Sequence, residues 1–76
     1  MKDGTNQVAQ LKQRGLDKIS EYDGEIFYND SSMINAIFPD KKIEQAVRAY
    51  FEITDRLNQK AELYGGNRLT VFSGLM

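Results

Sequence analysis

The sequence predicts a small α+β domain that is mainly helical: two main helices over about residues 5–22 and 40–64, a short middle helix, and a minimal two-stranded sheet over about residues 25–28 and 67–73. Three observations carry this reading. After Pro39, apolar or small residues recur at three-and-four spacing at Ile43, Ala46, Val47, Tyr50, Thr54, Leu57, Ala61 and Tyr64, the pattern of one buried helical stripe. Two short runs, Ile26–Tyr28 and Leu69–Phe72, are rich in β-branched and aromatic residues, which favour strands. Turn signals at Asp23-Gly24 and Gly65-Gly66 separate these segments. An all-α bundle is the alternative architecture. A sheet of only two strands is marginal by itself, so completion by dimerisation is expected.

Residues 1–4 are polar and are expected to be a flexible terminus ahead of a single domain over 5–76. Thr5 or Asn6 can cap the first helix, whose apolar face holds Val8, Leu11, Ile19 and Tyr22, flanked by Leu16. Gly15 shares that face. A glycine inside a helix costs about 1 kcal/mol relative to alanine, so it either ends the helix after Arg14 or admits a close neighbour. Asn29, Asp30, Ser31 and Ser32 form a polar cluster whose last members can cap a brief helix over Met33–Phe38, with Ile34, Ile37 and Phe38 inward. Pro39 stops it, because the residue before a proline is pushed out of helical geometry, and Asp40 then caps the long helix. Gly65 and Gly66 end that helix. Asn67–Ser73 alternate as a strand whose edge near Val71 offers a seam for a second copy, followed by the apolar Leu75 and Met76.

Composition narrows the chemistry. A chain of 76 residues buries only about 60% of the surface its unfolded form exposes, so stability is marginal. Such domains lean on disulfides, metals or self-association, and with no Cys and no His the last is favoured, as a homodimer. The same absences exclude thiolate catalysis, zinc ribbons and Ser/His triads. No phosphate-loop spacing surrounds the glycines, and a calcium-loop alignment ending at Glu21, Asp23 and Gly24 puts Ile19 at the first ligand position. No enzyme activity, cofactor or metal is expected. The net charge of −1 supplies no field for a polyanion, so nucleic acid is not the expected partner. The chain lacks both a signal-peptide core and an apolar run of membrane-spanning length, which predicts a cytoplasmic protein with no membrane role.

The leading functional expectation is a non-enzymatic protein–protein interaction or regulatory module that uses a helix face or strand edge. Its candidate contacts are Tyr50, Phe51, Ile53, Leu57, Val71 and Phe72. Tyr50 and Phe51 are adjacent and point about 100° apart on a helix, one toward the fold and one toward a partner, with Ile53 extending the exposed patch around Phe51. Tyr50, Phe51 and Tyr64 on the long helix, with Phe27, Tyr28, Phe38 and Phe72 elsewhere, number more than so small a core readily hides. A second reading is a dimeric DNA-associated regulator of repressor or antitoxin type, in which Lys41, Lys42, Arg48 and Arg56 gather into a phosphate-contacting stripe. A third is an acidic decoy or inhibitor of a nucleic-acid-binding enzyme, built on residues 17–30, where Asp17, Glu21, Asp23, Glu25 and Asp30 stand against Lys18 alone.

Overall fold

The structure, a computed structural model, describes residues 3–72, with side chains from residue 9 onward. Met1, Lys2 and the terminal Ser73–Met76, including the end of the expected last strand and the apolar pair Leu75 and Met76, lie outside the described residues. The chain runs α1 (Asp3–Glu21), β1 (Glu25–Asn29), β2 (Met33–Ile37), a 3-10 turn (Asp40–Lys42), α2 (Ile43–Phe51) with a π turn at its end (Glu52–Arg56), β3 (Lys60–Tyr64) and β4 (Arg68–Phe72). The strands form one antiparallel sheet in the order β1-β2-β4-β3, two hairpins joined where β2 pairs with β4. The class is α+β. The expected two-stranded, mainly helical arrangement is not what forms: four strands build the sheet, and β2 lies between β1 and β4, the two strands expected to pair.

Both helices pack on the same face of this sheet. Ile19 of α1, Ala46 and Ala49 of α2 and Ile53 of the π turn join Ile34 and Ala36 of β2, Leu69 and Val71 of β4, and Phe38 in one buried cluster. Leu16, Tyr22, Ile26, Tyr50, Leu57, Ala61 and Leu63 pack around it. In β2, β3 and β4 the inward residues alternate with outward ones, the period of a pleated strand with one dry face.

Helix α1 runs unbroken through Gly15. A Cβ there would stand 3.0 Å from Gln59 Oε1 and 3.5 Å from Ile34 Cδ1, so the glycine admits a close neighbour. That neighbour is the Gln59 side chain, whose Nε2 donates to the Leu11 carbonyl at 2.5 Å and ties the end of the second helix to the first. α1 ends in a Schellman arrangement: Asp23 takes a left-handed φ of 69°, its N–H reaching Ser20 O at 3.1 Å while the Gly24 N–H reaches Ile19 O at 2.8 Å. Gly24 is needed for space. A Cβ at that position would meet Ile19 Cγ2 at 2.6 Å and the Phe38 ring at 2.7 Å.

The expected middle helix is strand β2. Ile34, Ala36 and Phe38 alternate at a spacing of two and all turn into the core, whereas Ile37, expected inside, is exposed. The polar cluster before it makes a hairpin turn instead of a helix cap. Asp30 Oδ1 accepts from the backbone N–H groups of Ser32 at 2.8 Å and Met33 at 2.9 Å and from the Ser32 hydroxyl at 3.0 Å, an Asx-type turn.

The expected long helix is the larger correction. It stops at Arg56, about eight residues short of Tyr64. Near its end the Thr54 hydroxyl donates to Tyr50 O at 2.9 Å, a back-bond of the kind that bends helices, and the Leu57 N–H reaches five residues back to Glu52 O at 3.3 Å. Asn58 then takes a left-handed φ of 56°, and the Gln59 N–H returns to Ile53 O at 3.2 Å. Asparagine tolerates that conformation through local polar contacts, so it ends the helix where a glycine is the usual stop. Lys60–Tyr64 form β3, with Ala61 and Leu63 packed toward the core and Tyr64 outward. Gly65 and Gly66, both with positive φ, turn the hairpin into β4.

Candidate functional site: the helix-free face of the sheet

The residues that alternate with the buried ones build a surface on which, among the described residues, no helix lies. The register sets its rows. Glu25, Ile37, Arg68 and Tyr64 stand side by side across the four strands; Tyr28, Asn35, Thr70 and Glu62 form the next row; Met33, Phe72 and Lys60 form a third. Between Ile26 and Tyr28 the β1–β2 register shifts, and the extra residue, Phe27, reaches the same surface, lining a shallow depression of about 350 Å³ with Asn35, Tyr64, Arg68 and Thr70. Phe27 is 58% exposed, Tyr64 51% and Tyr28 48%. With Phe72, half of the eight aromatic residues lie on this face.

Its polar groups are held in place within the sheet. The Thr70 hydroxyl donates to Asn35 Oδ1 at 2.6 Å, and Asn35 Nδ2 points back to Met33 Sδ at 3.6 Å. The Tyr28 hydroxyl donates to Asp30 Oδ2 at 2.5 Å, and the Tyr64 hydroxyl donates to Glu62. Each of these bonds raises the tyrosine's pKa, because the neighbouring carboxylate stabilises the protonated phenol. Asp30 is held well below the usual carboxylate range, first by the Tyr28 hydroxyl and then by the Ser32 and Met33 N–H groups. Glu25 and Glu62 on the face balance Lys60 and Arg68. The surface is therefore aromatic, charge-neutral and internally fixed.

A second feature lies on the helical side. Tyr22, Arg48, Phe51, Glu52, Asp55 and Arg56 line a groove of about 240 Å³ between α1 and the end of α2. Phe51 is 60% exposed beside a partly buried Tyr50, the two rings edge to face with centroids 5.3 Å apart, so the adjacent aromatics do divide between solvent and fold. Ile53 does not extend the patch: it is fully buried. Leu57 packs against the core. Val71, expected near a free edge, is fully buried in a central strand, while Phe72 is on the helix-free face.

The four candidate phosphate contacts are spread along the second helix. Lys41 and Lys42 sit in the turn before α2 and Arg56 at its far end, about 20 Å away at helical rise. Lys42 is in an ion pair with Asp23 at 2.7 Å, and Arg56 lies 3.7 Å from Glu52, which Lys18 also approaches at 3.6 Å. The acids of residues 17–30 are similarly dispersed. Asp17 accepts from Gln13 at 2.9 Å, Glu21 pairs with Lys18 at 3.2 Å, Asp30 is held in its turn, and Glu25 stands on the sheet. Among the described residues no three carboxylates gather where a metal ion would fit, and no described helix is long and apolar enough to cross a membrane.

Phe27, Tyr28, Tyr64 and Arg68 were not among the candidate contacts singled out by sequence. Two signals bear on them: the aromatic surplus, which includes Phe27, Tyr28 and Tyr64, and the period-two spacing of Leu69 and Val71 and of Ala61 and Leu63, which puts the flanking Arg68 and Tyr64 on the other face. No protein-family model matches the chain, and neither does any curated protein or solved structure.

Proposed function

We propose that this protein is a small non-enzymatic interaction module that presents the helix-free face of its sheet to a protein partner. The observation that carries the reading is the one-sided covering of the sheet, which leaves Phe27, Tyr28 and Tyr64 about half exposed, Phe27 and Tyr64 lining a shallow depression. Aromatic side chains with few rotatable bonds and polar tips are the residues that dominate protein–protein contacts, and contiguous exposed apolar surface marks association sites. The balance of two carboxylates and two cations on this face favours a protein over a nucleic-acid phosphate backbone, which would be repelled by Glu25 and Glu62. The Phe51 groove, with two cations and two acids, has the same mixed character and a smaller volume.

The test compares faces. Wild-type protein and two variants, Phe27→Ser combined with Tyr64→Ser and Phe51→Asp, are used to capture partners from native extract, with folding checked by circular dichroism. A specific protein held by wild type and by the Phe51 variant but lost by the sheet variant supports the reading. Loss with Phe51→Asp and retention by the sheet variant would move the site to the helical side.

A further inference from the structure

The sheet has two outer edges, and they differ. β1 carries the register shift at Phe27, a break of the kind that disrupts the ladder and blunts an edge. β3 pairs residue for residue with β4 from Lys60 to Tyr64 and, among the described residues, has β4 as its sole neighbour in the sheet. It contains neither proline nor a bulge, and its outer side presents a regular row of backbone N–H and C=O groups about 17 Å long. We infer that the β3 edge pairs antiparallel with the β3 edge of a second copy, centred on Ala61, so that Lys60 of each chain faces Glu62 of the other and two four-stranded sheets join into one of eight.

The charges choose the partner and the register. Keeping the helices of both copies on the same side of the joined sheet requires that outward residues face outward residues across a two-fold axis, which leaves alignments centred on Ala61, Glu62 or Leu63. Centring on Glu62 sets that carboxylate against its own copy, a destabilising like-charge pair. Centring on Leu63 places Glu62 beside a second tyrosine, although its carboxylate already accepts from Tyr64 within its own chain. Centring on Ala61 produces two Lys60–Glu62 pairs and brings only the small Ala61 side chains together at the axis. Lysine on an edge discourages pairing with an arbitrary strand, and a glutamate two residues on makes this strand a match for itself. Lys60, Ala61 and Glu62 also border a shallow depression of about 330 Å³ with Phe72 of β4.

This pairing deepens the proposed function by doubling the helix-free face, yet it fails separately: a chain that remains monomeric can still lose its partner on mutation of Phe27 and Tyr64. Edge pairing buries less than an ordinary protein interface, so sedimentation equilibrium is run at low salt up to about 1 mM, the range of weak complexes. Wild type is expected to move from 8.7 kDa toward twice that mass. Lys60→Glu and Glu62→Lys, each folded by circular dichroism, are expected to stay monomeric alone and to associate when mixed, because each then supplies the charge the other lacks. Lys41→Glu mixed with Glu44→Lys carries the same net charges away from the edge and serves as the control. A wild-type mass of 8.7 kDa at every concentration, single variants that dimerise as well as wild type, a mixture that does not associate, or a control mixture that associates equally well each overturns the inference.

Discussion

The two faces of the sheet are built from neighbouring residues of the same strands and have opposite fates. On β4, Leu69 and Val71 are buried against the helices while Arg68, Thr70 and Phe72 point away from them. On β2, Ile34 and Ala36 go inward while Met33, Asn35 and Ile37 do not. The difference teaches where the core ends: the inner face is closed by α1 and α2, and the outer face keeps the rings of Phe27, Tyr28 and Tyr64 about half exposed.

The contrast is broken most strongly by deleting volume on each side. Leu69→Ala removes buried methyl groups from the centre of the inner face and is expected to cost about 2–5 kcal/mol in urea unfolding, enough to unfold much of a domain of this size. Tyr64→Ala, one strand away on the outer face, is expected to change stability by less than about 1 kcal/mol. Equal losses would mean that the outer ring belongs to the core. Next comes Gly24→Ala. Its Cβ would press on the buried Ile19 and Phe38 at under 3 Å, and overpacking of this kind costs about 1–3 kcal/mol. A neutral result would show that the end of α1 can shift freely.

The smallest effect is a pH dependence in the β1–β2 hairpin. Asp30 is more acidic folded than unfolded, chiefly through the Tyr28 hydroxyl, so its stabilisation is present above the ordinary carboxylate pKa and is lost as pH falls toward the lower folded value. Asp30→Asn is expected to flatten the decline in stability below about pH 4, with little change in its shape at neutral pH. An unaltered acid limb would show that this turn does not couple to folding.

How much of this was legible depended on which period a segment obeyed. The first helix and the strands around Ile26–Tyr28 and Leu69–Phe72 are visible from apolar spacing and residue type, and they lie within a few residues of their expected bounds. The second helix is legible as far as its end at Arg56. Beyond it Ala61 and Tyr64 satisfy a helical stripe as well as a strand, and the diglycine looks like the stop, whereas the stop is Asn58 and the diglycine turns a hairpin. Met33–Phe38 has the same ambiguity in a shorter run. Two strands concealed as helix meant that the outer face could not be assembled from sequence, although the excess of aromatic residues signalled an exposed surface. The exposure of Phe51 is legible because adjacent helical positions point about 100° apart, so that Tyr50 packs on the core while Phe51 is 60% exposed.

The claim that the helix-free face is the working surface is tested most directly by hydroxyl-radical footprinting of the aromatic side chains, alone and with a captured partner. In the isolated protein Phe27, Tyr28, Tyr64 and Phe51 should be modified readily and Phe38 protected, and partner binding should protect the three sheet residues while leaving Phe51 unchanged. Protection of Phe51 alone, with the sheet aromatics as reactive as before, would contradict the account.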